Sequence, residues 1–196
     1  KSGDLMTLSL IGIGLTANQL SVEALNEIKS CKLVFLEAYT SKFAEGTLKE
    51  FEKLIKKKII LLYRNEVENQ SNNLLSKAKS KKVALLVYGN SLSATTHSEI
   101  LLQARKMKIK TKVFLGISVF DAISLTGLSQ YSFGKTISIP FWQTNFKPES
   151  FYDKIKINFE THLDEQRHNR YCSLMSQRVL YDYFLKCIRA IYCLYV

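Results

Sequence analysis

The sequence predicts an α/β fold with a mostly parallel sheet, on three observations. Short apolar runs alternate with helical patterns, the signature of βαβ units. Two of these runs end in small-residue turns, Gly12-Ile13-Gly14-Leu15 and Tyr88-Gly89-Asn90-Ser91. The 196 residues are 46% hydrophobic, enough for one sizeable core or for two small domains sharing one.

Strands are expected over residues 7–11, 32–36, 59–62, 82–87 and 111–115, each an apolar run bounded by polar or turn residues. Ser21 with Glu23 marks a helix start. Thr47-Leu48-Lys49-Glu50 is a capping box opening a second helix. Ile100, Leu101, Leu102, Ala104 and Met107 form a helical pattern after the fourth strand. Ser118-Val119-Phe120-Asp121 resembles another capping box, with Asp in place of the usual Glu. The pattern changes after about Gly127, which sets a domain boundary: an N-terminal α/β domain over 1–127 and a C-terminal one over 128–196. In the latter, 135–141 reads as a strand ended by Pro140, since proline cannot donate to a ladder. Pro148-Glu149-Ser150 opens a helix through Asn158. Val179, Leu180, Tyr183, Phe184, Cys187, Ile188 and Ile191 fall on one helical stripe, whose default meaning is core packing.

Composition excludes several classes. No apolar run approaches the ~20 residues of a membrane span. The amino end leads straight into a strand, so no signal peptide is expected. Cys31, Cys172, Cys187 and Cys193 form no CxxC pair and the three histidines are scattered, which argues against zinc. Unpaired thiols suit a reducing compartment, hence a cytoplasmic protein. The net charge of +11 raises the question of nucleic acid. The lysines are dispersed, however, and the densest run, Lys56-Lys57-Lys58, reads as a solvated loop. An excess of this kind can instead steer the chain toward an acidic or ribonucleoprotein partner.

The first glycine turn has two readings. Gly12, Gly14 and Ala17 fit G-x-G-x-x-G/A, and Glu37 lies about 20 residues further on, at the end of the next strand. That is the dinucleotide-binding fingerprint and would make the chain a nicotinamide-dependent oxidoreductase. The motif requires a helix starting at the glycines, whose N-terminus faces the pyrophosphate. Here Asn18-Gln19-Leu20-Ser21 intervenes. The plain alternative is a tight strand exit.

Five ordered blocks speak to the choice: Leu10-Ile11-Gly12-Ile13-Gly14-Leu15; Leu36-Glu37-Ala38-Tyr39-Thr40-Ser41; Ala94-Thr95-Thr96-His97; Tyr131-Ser132-Phe133-Gly134-Lys135-Thr136-Ile137-Ser138-Ile139-Pro140-Phe141; and Pro148-Glu149-Ser150-Phe151-Tyr152-Asp153-Lys154-Ile155-Lys156. Over about 8–158 the chain resembles the diphthine synthases, diphthamide-pathway methyltransferases of the tetrapyrrole methylase superfamily. The resemblance implies a tetrapyrrole-methylase-like fold of two α/β domains with S-adenosylmethionine in the cleft between them. It implies methylation of the modified histidine of translation elongation factor 2, and a homodimer. Matched motif by motif, donor contacts fall on Leu15, Asn90, Ser93, Ser118 and Val119.

Two departures stand out. The family's Gly-Asp-Pro is Gly89-Asn90-Ser91 here, and its following glycine is Ser93. Asn90 keeps an acceptor oxygen but loses the charge that could pair with the cationic donor. Further on, Thr161-His162-Leu163-Asp164-Glu165-Gln166 compresses a strand-rich segment of the family, and Asn169-Arg170-Tyr171-Cys172-Ser173 resembles a motif that belongs much further along. The second domain is therefore expected to be incomplete.

Methyl transfer from a sulfonium is an in-line displacement, to which a protein contributes orientation and a dry pocket. The incoming amine must be neutral, so a base can help. His97 sits beside the second turn, but packing or capping at the helix start is its simpler role, and no catalytic residue is assigned. A degenerate, non-catalytic member that binds elongation factor 2 or RNA is a further alternative, favoured by Asn90 and the short second domain.

Overall fold

The computed structural model describes residues 6–93, 95–122, 124, 149–154 and 156–157. These fall into two compact units that divide after Asp121. In the second, residues 150–154 and 156–157 are helical, as Pro148-Glu149-Ser150 predicts, with the Glu149 carbonyl accepting from the Tyr152 amide at 2.8 Å. The strand expected over 135–141, the stripe over 179–191 and the boundary at 127/128 lie outside the described residues.

The first unit is a five-stranded sheet in the order β3-β2-β4-β1-β5, with every strand pairing parallel. The strands are β1 (Thr7–Gly12), β2 (Leu33–Glu37), β3 (Ile60–Leu62), β4 (Lys82–Val87) and β5 (Lys110–Phe114). Each lies within a residue of its expected place at both ends. The central strands are mostly apolar because both faces of the sheet are covered, with Thr7, Ser9 and Glu37 as buried polar exceptions. Leu8, Leu10, Phe35, Val83, Leu85 and Val87 point to one face. There they pack on Leu74, Leu75 and Ala78 of α3 (Ser71–Ala78) and on Ile100, Leu101 and Ala104 of α4 (Ser98–Lys106). Ile11, Val34, Leu36, Ala84, Leu86 and Phe114 alternate with them and point to the other. Their partners are Ala24 and Ile28 of α1 (Val22–Ser30) and Phe51 and Ile55 of α2 (Leu48–Ile55).

Local chemistry sets the helix ends. The Ser21 hydroxyl accepts from the Ala24 amide at 3.1 Å and starts α1. Thr47 and Glu50 satisfy each other's amides reciprocally, at 2.7 and 3.2 Å, and start α2. A short π-helical turn, Asn65–Asn69, feeds α3 without a side-chain cap. No sequence signal marks that turn.

The connections decide where a ligand can sit. The path from β1 runs through α1 to β2, toward one edge of the sheet. The path from β4 runs through α4 to β5, toward the other edge and on the opposite face. β1 and β4 are neighbours, so a topological switch point opens between their carboxyl ends.

Candidate functional site at the carboxyl end of the sheet

Three loops meet at this switch point: one after β1, one after β4 and one after β5. Backbone holds them together. Gly14 and Gly89 exchange both amide–carbonyl hydrogen bonds, at 3.1 and 2.9 Å, as an isolated antiparallel bridge. Both glycines have positive φ, 78° and 71°. A Cβ on Gly12 would lie 2.7 Å from the Gly116 nitrogen and 2.7 Å from the Gly89 carbonyl oxygen. A Cβ on Gly116 would collide with the same Gly89 oxygen and with the Gly12 backbone. Gly12, Gly89 and Gly116 thus form a side-chain-free seam between loops. Gly116 was not singled out in the sequence. The signal was there: a glycine ends or closely follows each of β1, β4 and β5.

The first loop is organised by Gln19, also missed in the sequence. Its Oε1 accepts from the Leu15 amide at 2.8 Å and from the Thr16 amide at 3.2 Å. The segment after β2 closes over this turn, with the Ala44 amide donating to the Leu15 carbonyl at 2.7 Å and the Ala17 amide to the Glu45 carbonyl at 3.2 Å. Phe43 fills the space beneath, edge-on to Tyr88 at 4.9 Å between ring centroids. Burial pushes the Tyr88 hydroxyl up to about 12, which keeps it neutral.

In the second loop the Asn90 Oδ1 accepts from the Leu92 amide at 3.1 Å, an Asx turn. The Asn90 carbonyl accepts from the Ser93 amide at 3.3 Å. The Thr95 hydroxyl donates to the Ser91 carbonyl at 2.7 Å. In the third loop, Ser118 caps α5 (Val119–Ala122): its amide and hydroxyl donate to Asp121 Oδ2 at 2.6 and 2.9 Å. The expected Ser118/Asp121 box therefore forms. Leu15, Asn90, Ser93, Ser118 and Val119 all lie on the three joined loops. Leu15, Asn90 and Ser93 are half-buried, Ser118 is buried and Val119 is 48% exposed.

Glu37 and His97 lie beneath the second loop. Glu37 ends β2 and is fully buried; His97 directly precedes α4 and is 2% exposed. The His97 Nε2 stands 2.6 Å from Glu37 Oε2. The pair is close but not aligned as a hydrogen bond, so these two atoms and His97 Nδ1 have no hydrogen-bond partner among the described residues. Glu37 Oε1 accepts from the Thr40 amide at 3.1 Å and also from the Thr40 hydroxyl. His97 makes no side-chain cap; it packs at the helix start and faces a carboxylate.

This placement corrects the dinucleotide reading. α1 begins at Val22, not at the glycines, so no helix N-terminus faces the turn. Gly12 and Gly14 serve loop-to-loop packing. Glu37 is sealed between Thr40 and His97 and offers no oxygen to a ribose. Nothing supports the oxidoreductase alternative built on Gly12, Gly14, Ala17 and Glu37.

A parallel α/β unit with three loops joined at a switch point defines an α/β protein of the open-sheet class, in which ligand crevices lie at such points. The model of the tetrapyrrole (corrin/porphyrin) methylases matches residues 7–164, and the chain belongs to that family. It is 41% identical over 152 residues to the diphthine methyl ester synthases of Bos taurus and Homo sapiens, covering 77% of this chain and 53% of each relative. The chain spans about half the length of the curated relatives it matches. A solved diphthine synthase is 34% identical with a TM-score of 0.67, over 79% of this chain and 61% of that one. A provisionally named diphthine synthase from Entamoeba histolytica is 39% identical with a TM-score of 0.65, over 80% and 59%. Among the described residues no helix is long and apolar enough to cross a membrane.

Proposed function

We propose that the chain is an S-adenosylmethionine-dependent methyltransferase of the diphthine synthase type, acting on the modified histidine of translation elongation factor 2. The observation that carries this reading is the 41% identity over 152 residues to diphthine methyl ester synthases, beside a family match over 7–164 that includes all three loops of the switch point. The same reading makes the protein a cytoplasmic homodimer, with a first domain over 1–127 and part of a second over 128–196.

The donor supplies an electrophilic methyl on a sulfonium. The chain's own work is to hold and orient it. Leu15, Asn90, Ser93, Ser118 and Val119 line the donor's place. Their loops suit an elongated polar ligand. Around Gly89 the nearest atoms to an added Cβ are 3.8 and 3.9 Å away, on Ile117 and Ser118, so the backbone there can be approached. The Asn90 oxygen uses one lone pair on Leu92 and keeps the other for a donor ammonium or hydroxyl. Ser118 contributes through the fixed shape of its capped turn, because its amide and hydroxyl are engaged by Asp121.

Calorimetry with S-adenosylhomocysteine and with a reduced nicotinamide dinucleotide tests the reading. Micromolar binding of the first and none of the second is expected. A protein that binds only the dinucleotide, or neither, overturns it.

A further inference from the structure

Resting on that methyltransferase reading, we propose that Glu37 and His97 are positioning residues for the methyl donor: a buried carboxylate–imidazole clamp that ties the donor-holding loop after β4 to the end of β2. The loop over 88–97 carries Asn90 and Ser93, and neither contacts Glu37 through any hydrogen bond. Its fixed points are few: the Gly14–Gly89 bridge at its start, the turns around Asn90 and Ser91 in its middle, and His97 at its end. The two ends are anchored to different strands, β1 through Gly14 and β2 through Glu37.

The Glu37 carboxylate divides its two oxygens between two elements. Oε1 holds the turn after β2 through Thr40, and among the described residues Oε2 faces only His97. A carboxylate with no exposure is costly to leave without a polar partner, and the imidazole 2.6 Å away is the group that faces Oε2. The poor alignment of that contact, together with a buried Ser91 hydroxyl in the same loop that has no partner among the described residues, shows buried polar groups that packing alone does not satisfy. Buried polar groups left this way are expensive and are found where they specify a conformation or a function. Specifying the loop is the role that fits here, because His97 has no route to solvent and cannot meet a substrate.

Double replacement by apolar residues tests this, since a buried pair exchanged for leucines leaves no unpaired charge and the fold survives. Wild type, His97→Gln and Glu37→Leu/His97→Leu are compared by hydrogen–deuterium exchange of unliganded protein and by S-adenosylhomocysteine titration. In the double variant the core strands keep their protection and Tm stays close to wild type. Amides of the loop over 89–97 exchange about tenfold faster, and the dissociation constant rises about tenfold. His97→Gln, whose amide can donate to Glu37, stays within about threefold of wild type in both. Unchanged loop exchange in the double variant overturns the clamp. Faster exchange with unchanged affinity overturns the link to the donor. Absence of S-adenosylhomocysteine binding by wild type overturns the donor reading and the positioning role with it, while loop exchange still reports on the tie between Glu37 and His97.

Discussion

Two buried glutamates, one near each end of the sheet, are treated in opposite ways. Glu27, on α1, lies over the amino-terminal half of β1, β4 and β5. Its Oε1 accepts from the Ser9 hydroxyl at 2.7 Å, and its Oε2 faces Lys82 at 3.1 Å and Lys112 at 3.2 Å. Lys82 also donates to the Ser30 hydroxyl at 2.6 Å. Burial pushes the Glu27 carboxyl up, but hydrogen bonds from Ser9, Lys82 and Lys112 together hold it below its ordinary value. Glu37, at the carboxyl end, has one turn and one imidazole, and an oxygen with no aligned hydrogen bond. Glu27 has several exchangeable partners at the edge of solvent. Glu37 Oε2 has one facing polar group among the described residues, His97, in a sealed place. Redundancy marks the site that holds the helix on the sheet; its absence marks the site beneath the loop proposed to hold the donor.

The largest expected effect comes from removing His97. His97→Leu leaves Glu37 Oε2 buried against an apolar side chain, with Thr40 holding only the other oxygen, and should cost about 3–5 kcal/mol in chemical denaturation. Lys112→Met at the other glutamate should cost less than about 1 kcal/mol, because Lys112 is one-third exposed and Glu27 keeps Ser9 and Lys82. Equal losses for the two variants would erase the contrast.

Next in size is the glycine seam. Gly116→Ala sets a methyl against the Gly89 carbonyl and the Gly12 backbone, neither of which can rotate away. It should cost about 3 kcal/mol, read as a Tm lower by about 10 °C. Gly14→Val belongs with it and should abolish donor binding. Its Cβ would lie 2.8 Å from that of Gln19 at a φ of 78°, so the failure is loss of the Gln19-organised turn. A Gly14→Val protein that binds the donor normally would place the ligand elsewhere.

Acid separates the two glutamates by another measure. A carboxylate held below its ordinary value contributes stability that is present above that value and lost as pH falls through the folded one. The stability difference between wild type and Glu27→Gln should therefore be constant at neutral pH and shrink below about pH 4.5. Thermal denaturation across that range checks it, and a difference that grows on acidification would reverse the sign.

The smallest expected effect is at Asn90. Asn90→Asp can keep the Asx turn to Leu92 and adds the charge that the family resemblance implies there. Donor affinity should tighten by about 1 kcal/mol, roughly fivefold, in the same calorimetry. Weaker binding would show that the loop is built around the neutral amide.

Sequence alone determined the parts of this protein that depend on near neighbours. Apolar runs placed all five strands to within a residue at each end. Ser21, Thr47 with Glu50, and Ser118 with Asp121 marked three helix starts, because a cap acts across three residues. The glycine turns and ordered motifs pointed to the family and to the carboxyl end of the sheet. Only the tertiary structure decided what those residues meet. Gly12 and Gly116 are 104 positions apart, yet each denies the other a side chain. Glu37 matched a ribose-binding pattern in one dimension and turned out to be sealed against a histidine 60 positions away. The order β3-β2-β4-β1-β5 brings such residues together, and pairings between distant strands leave no periodic trace in the chain.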